Sequence, residues 1–144
     1  MRLSISTAAL LLSFMSLSAQ SSHQISAAGG DIVFTPIIHA SVQVEHAGTV
    51  IHVDPWSAGD LSRAKRADLI LVTDDPGHHL DLAAIEQLRK PGAPVVLTAT
   101  AQAKFADGSV LSNGETGVFA GISVEAIPAY DVTPGRPLHP KGEA

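Results

Sequence analysis

The chain has 144 residues, a length typical of one domain, and its 14 acidic and 9 basic residues give a net charge of −5. Its densest basic cluster is the short segment 63–66, so the composition argues against nucleic-acid binding. The absence of cysteine excludes disulfides and thiolate metal sites. Any bound metal would therefore need histidine or carboxylate ligands.

The first 19 residues have the pattern of a secretory signal peptide. Arg2 supplies a positive start, residues 8–17 an apolar stretch, and residues 16–19 the small side chains typical of a cleavage site. The apolar stretch is shorter than the roughly 20 residues of a transmembrane helix, and an uncleaved anchor is the alternative. We expect an exported protein, periplasmic or secreted, without membrane contact after cleavage.

Residues 20–30 are polar and end in two glycines, which predicts a flexible lead-in to a domain spanning residues 31–144. The domain begins with three predicted strands. They span residues 31–36, 41–45 and 49–53. Ala47-Gly48 predicts a two-residue hairpin turn between the second and third strands. Asp54-Pro55 ends the third strand, because proline cannot donate to a central strand ladder.

The second half of the chain alternates between strand and helix patterns. The continuously apolar residues 68–72 predict a strand covered on both faces. Asp81 is a predicted N-cap for a helix that reaches about Lys90 and has apolar residues at helical spacing. The remaining elements are a strand at 94–97, a short helix at 100–106, a hairpin of 110–112 with 115–119, and a strand at 122–127. This order predicts an α/β (α+β) fold, a mixed β-sheet with helices on one face.

The most informative segment is the loop at residues 73–81, which follows the buried strand and reads Thr-Asp-Asp-Pro-Gly-His-His-Leu-Asp. It resembles the Thr-His-x-His-x-Asp-His-x-Asp signature of the metallo-β-lactamase superfamily. Further segments resemble that family in the same order. They are residues 38–42, 53–56, 67–73, 112–115, 127–130 and 139–142. The likeness covers residues 31–143 and is nearest to the ascorbate-6-phosphate lactonase-like branch.

This resemblance implies a particular architecture. The family folds as an αββα sandwich of two halves placed face to face, with metals at the edge between them. The chain resembles the first half only. Its inner sheet face would then be an uncovered apolar surface, which implies either a homodimer or a fragment.

The resemblance also implies a metal site, altered at three positions. Asp74 and Pro76 stand at the two leading histidine positions, and His78 stands at the aspartate position. Proline offers no donor atom, so we expect one weak zinc site in place of two. The implied metal ligands are Asp74, His78, His79 and His139, of which Asp74 and His79 are the catalytic candidates, and the supporting residues are His39, Asp54 and Asp81.

Plainer roles stay open for several of these residues. Asp81 fits a helix cap, Asp54 fits a strand-end turn, and His78 and His79 fit a solvated polar loop.

The family chemistry implies metal-activated attack of water on a small anionic substrate, a lactone or a phosphoester. The altered signature predicts that this activity is weak or lost. The alternative is a non-catalytic module that binds a metal or a partner and dimerises through the uncovered sheet face.

Overall fold

The computed structural model describes residues 21–135 and His139, so the predicted signal peptide lies outside the described part of the chain. The described residues form nine strands and two helices. The strands are β1 His23–Ile25, β2 Ile32–Ile38, β3 Ser41–His46, β4 Thr49–Val53, β5 Leu69–Val72, β6 Val95–Leu97, β7 Ser109–Val110, β8 Thr116–Phe119 and β9 Ile122–Glu125, and the helices are α1 Leu82–Leu88 and α2 Ala99–Gln102. Neither helix is long and apolar enough to cross a bilayer.

Strands β1 to β7 form one mixed sheet in sequence order. The first four strands pair antiparallel, and β4 through β7 pair parallel. Each parallel crossover between β5, β6 and β7 passes through a helix and advances in the same direction. Since such crossovers are right-handed, both helices cover the same face of the sheet. The predicted fold class is confirmed.

Two predicted local structures are confirmed by their backbone geometry. Ala47 and Gly48 both have positive φ, 47° and 82°, as a two-residue turn between twisted antiparallel strands requires. The side chain of Asp81 accepts hydrogen bonds from the backbone N–H groups of Ala83 and Ala84, so it caps α1. The helix ends earlier than predicted, at Leu88, where the chain turns to an extended conformation.

The main core lies between the helices and the parallel strands. Its buried residues are Ala67, Ile70, Val72, Leu80, Ile85, Val95, Leu97 and Ala101. Four of these come from β5 and β6 and alternate with residues that face the other way. Burial of this set against α1 and α2 holds the loop between β5 and α1 at a fixed position above the sheet edge.

The opposite face of the sheet is apolar from β2 to β6, with His23 of β1 and Ser109 of β7 at its two edges. Because cross-strand partners point to the same side of a sheet, the pairing register identifies its residues. They are Phe34, Pro36, Val42, Val44, Ile51, Val53, Leu69, Leu71 and Val96. Those on β3 and β4 are half-buried. We refer to this set as the apolar sheet face.

Two predicted regions differ from the structure. The segment predicted to be a flexible lead-in contains β1, whose backbone pairs antiparallel with β2. The side chains of β1 are exposed. The predicted hairpin around Asn113-Gly114 does not form. Instead β7 joins the main sheet beside β6, and β8 pairs with β9 through a turn at Ala120-Gly121. Asn113-Gly114 and Ala120-Gly121 both suit a hairpin turn. Val110 packs against the main core, so its strand joins the main sheet and the hairpin forms at Ala120-Gly121.

A polar patch lies on the helix-side face of β3 and β4, beneath the segment that connects β4 to β5. His52 is completely buried there, and its Nε2 lies 2.9 Å from the Lys65 carbonyl oxygen, to which it donates. The Lys65 backbone N–H donates in turn to the side chain of Gln43 at 2.8 Å. Burial lowers the pKa of His52, and the Lys65 carbonyl and the charge of Glu45 oppose this shift only in part. The folded protein therefore holds His52 neutral.

We expect acid to destabilise the fold through His52. As the pH falls below about 6.5, the unfolded chain takes up a proton at this site that the folded chain resists, so the free energy of unfolding decreases. Denaturant unfolding at pH 7.5 and pH 5.5 measures this loss. The loss in free energy of unfolding should be smaller in His52→Gln, which keeps a donor for the Lys65 carbonyl. It should be as large as in the native chain in the control His23→Gln on exposed β1. An identical pH dependence in His52→Gln would contradict the prediction.

Candidate metal centre

The candidate site lies where three connections reach the same edge of the sheet. Strands β4 and β5 are parallel, so their carboxyl ends meet at this edge. Strand β3 runs antiparallel to β4, with Val42 opposite Val53, so the β2–β3 turn lies there as well. The turn carries His39, the end of β4 carries Asp54, and the loop after β5 carries the remaining residues.

Three histidines converge at this edge. One nitrogen of each of His39, His78 and His79 lies within 4.8 Å of the other two. His39 is exposed, and the other two histidines are half-buried. In the described part of the chain, residues 21–135 and 139, these three histidines form the one group of histidine or acidic side chains whose spacing could hold a metal ion.

Asp54 connects this cluster to the sheet. It is 1% exposed and has a left-handed backbone with φ of 44°. Its carboxylate accepts hydrogen bonds from the Thr73 backbone N–H at 2.8 Å and from the Thr73 hydroxyl at 2.6 Å. The Nδ1 of His79 lies 2.8 Å from the same carboxylate. A carboxylate can only accept, so the proton of neutral His79 lies on Nδ1 and the lone pair of Nε2 faces away.

The loop itself is folded around Pro76. The Pro76 carbonyl accepts hydrogen bonds from the backbone N–H groups of His79 and Leu80, each at 2.8 Å. This turn brings two adjacent histidines to the same side. Lys104, after α2, pairs with the Asp75 carboxylate at 2.7 Å and donates to its carbonyl at 3.0 Å. Pro76 therefore shapes the site without offering a ligand.

Asp81 closes the other end of the loop. Besides capping α1, its carboxylate accepts hydrogen bonds from the Ser57 hydroxyl and from the Ser57 backbone N–H at 2.9 Å. Partial burial opposes ionisation of Asp81, but these hydrogen bonds outweigh it and hold its pKa below the ordinary value. Asp81 thus connects the segment after β4 to the start of α1, and its predicted supporting role at the metal site stays a prediction.

The structure groups the predicted site residues differently from the resemblance. It brings His78 and His79 together, but it pairs Asp74 with His139, whose Nε2 lies 3.7 Å from the carboxylate. The Asp74 side chain also accepts from the backbone N–H of Asp75. The third member of the cluster is His39, to which the sequence had assigned only a supporting role. The hairpin register of β2 and β3 is the signal that would have placed it.

The residues present suit a metal ion. Three imidazoles, with one of them exposed, supply the three protein ligands and the accessible side that catalytic zinc sites have. The same nitrogen donors also suit copper, nickel and iron. The contact between His79 and Asp54 is the carboxylate–histidine arrangement that orients a metal-binding ring.

Comparison with known proteins agrees with this fold. The family model of the beta-lactamase superfamily domain matches residues 33–143. The chain therefore belongs to the beta-lactamase superfamily, with the metallo-β-lactamase fold that the sequence predicted. A crystal structure described as "Putative metal-dependent hydrolase from Parabacteroides distasonis" is similar at 33% identity and a TM-score of 0.73, over 81% of this chain and 55% of that one. Comparison with curated proteins gave no match.

We expect Asp54→Asn to weaken metal binding without unfolding the protein. Asparagine tolerates positive φ, but an amide is a poorer acceptor for the His79 N–H, and loss of such contacts costs about 10- to 100-fold in metal affinity. Zinc titration calorimetry measures the loss. The control is Asp60→Asn, which changes an exposed carboxylate on the segment between β4 and β5. Equal zinc affinity in Asp54→Asn and the native chain would contradict a role for this contact.

Proposed function

We propose that the chain binds one zinc ion through His39, His78 and His79 and is a metal-dependent hydrolase with weak activity toward small lactones or phosphoesters. The observation that carries this proposal is the convergence of the three imidazoles beside the buried Asp54 carboxylate. Membership of the beta-lactamase superfamily supports the same reaction class. The similar crystal structure supports it too, although the chain spans only about half of that protein's length.

Bound zinc would supply a Lewis acid that lowers the pKa of a water molecule to about 7 and polarises the oxygen under attack. The protein's own contribution is to hold the ligands ready. Asp54 keeps the His79 proton on Nδ1, and Thr73 fixes Asp54 through two hydrogen bonds. The exposed His39 leaves one side of the cluster accessible to substrate. The centre is therefore preorganised before any ligand arrives.

The altered loop supports the expectation of weak activity. The family signature needs further histidines at the positions of Asp74 and Pro76, and proline has no donor atom. The Asp74 carboxylate is paired with His139. We therefore expect a single metal ion in place of two, without the clamp that a second ion provides.

Residues 1–19 support export of the chain to the periplasm or the medium, where it would act without contact with membrane or nucleic acid.

Variants of two histidines distinguish the structural site from the one implied by the family signature. His39→Ala removes one of three ligands and should lower zinc content from near one per chain to well below stoichiometry. His139→Ala should leave zinc content unchanged, since His139 pairs with Asp74 outside the cluster. Elemental analysis of protein purified without chelator or affinity tag measures both. The opposite pattern, with zinc lost only in His139→Ala, would favour the ligand set implied by the signature.

A second function is favoured by the apolar sheet face, which is half-buried on β3 and β4. We propose as the alternative a non-catalytic metal- or partner-binding module that dimerises through this face. Leu69 and Val96 of this face are buried, and its accessible part includes β3 and β4. An accessible apolar patch is typical of an interaction site.

Sedimentation velocity tests the dimer. Ile51→Lys places a charge in the middle of the apolar sheet face and should convert a dimer to a monomer, because an unpaired charge in an apolar interface is strongly unfavourable. Val118→Lys is the matched control, since Val118 is 73% exposed and lies on the separate two-stranded sheet of β8 and β9. A native chain that sediments as a monomer at all concentrations would exclude the alternative.

A further inference from the structure

Trp56 forms a fixed aromatic surface beside the three histidines. Its ring centroid lies 6.1 Å from that of His39 and 6.1 Å from that of His78, with interplanar angles of 81° and 60°. The backbone on its C-terminal side is held in place. The Trp56 carbonyl accepts from the Gly59 N–H at 3.1 Å, and the Ser57 N–H donates to Asp81. The half-buried indole therefore lies beside two of the three histidines on a backbone that is held in place.

The charges around the cluster are acidic. The Asp54 carboxylate contacts His79, and Asp74 and Asp75 lie on the same loop as two of the histidines. Lys104 is the cation that pairs with this loop in the described part of the chain, and both of its contacts go to Asp75. An anionic substrate would therefore meet an ammonium group that is already paired, and only the histidines and a bound ion would attract it, beside the half-buried Asp74 and Asp75 carboxylates.

We infer that the site takes an uncharged lactone or carboxylic ester whose aromatic group packs on Trp56 while its carbonyl group lies at the histidines. Aromatic rings pack favourably against tryptophan in edge-to-face or offset arrangements. This inference rests on the proposed function and narrows it from lactones and phosphoesters to uncharged carbonyl compounds.

The reaction would be ordinary hydrolysis. The oxygen of water bonds to the carbonyl carbon, the bond from that carbon to the alkoxy oxygen breaks, and a proton from the water passes to the alkoxy oxygen. An ester gives a carboxylic acid and an alcohol, and a lactone gives a single hydroxy acid.

Binding of three matched probes to the full chain tests the inference by calorimetry, with and without zinc. Oxindole is an uncharged aromatic lactam that resists hydrolysis, pyrrolidinone is the same lactam without the aromatic ring, and phenyl phosphate is aromatic but anionic. We expect oxindole to bind about 10-fold more tightly than either of the others, as one favourable aromatic contact predicts. Trp56→Ala should abolish the preference over pyrrolidinone, and Trp56→Phe should retain it.

The probes in the native chain decide the outcome without reliance on the variants. Equal affinities for oxindole and pyrrolidinone, or tighter binding of phenyl phosphate, overturn the inference. Zinc binding is measured separately in the same protein. A chain that binds zinc but does not prefer oxindole overturns this inference alone. A chain that prefers oxindole but binds no zinc supports the aromatic subsite and overturns the proposed metal centre.

Discussion

The hydrogen bonds of the Asp54 carboxylate join the sheet to the candidate metal centre. Asp54 ends β4, its backbone N–H donates to the Leu71 carbonyl of β5, and its side chain accepts from Thr73 and His79. A buried carboxylate is tolerated only when such donors satisfy it. The same contacts set the tautomer of His79 and the path of the loop that carries it. The orientation of His79 and the pairing of β4 with β5 therefore involve the same residue, the first through its side chain and the second through its backbone.

Two further contacts hold the loop that carries His78 and His79. Asp81 joins α1 to the segment after β4, and Lys104 joins the loop to the end of α2. The hydrogen bonds described for these two residues do not involve the three histidines. Asp81 and Lys104 flank α1 and α2, which pack in the core against β5 and β6. The positions of His78 and His79 follow from packing on the helix-covered face of the sheet, and the position of His39 follows from strand pairing.

Local signals in the sequence predicted most of the fold. The Ala47-Gly48 turn, the cap at Asp81 and the apolar run of β5 each depend on neighbouring residues, so their patterns could be interpreted without knowing the tertiary structure. The position of His39 could not be predicted in this way. It depends on the β2–β3 hairpin register and also on the parallel pairing of β4 with β5, which is a contact between residues distant in sequence. The hairpin of β8 and β9 was missed for a related reason, because two glycine-containing turns competed and tertiary packing selected one.

The three histidines belong to two parts of the chain that lie 39 residues apart in sequence, on either side of the antiparallel-to-parallel switch in the sheet. A metal ion bound to all three would act as a crosslink between these parts, and the unfolded chain has no equivalent site. Metal binding would then be linked to folding. At a free metal concentration 100-fold above the dissociation constant, the ion would add about 2.7 kcal/mol to the free energy of unfolding. If the chain is exported unfolded, as proposed from residues 1–19, it would gain this added stability only in the compartment that supplies the metal.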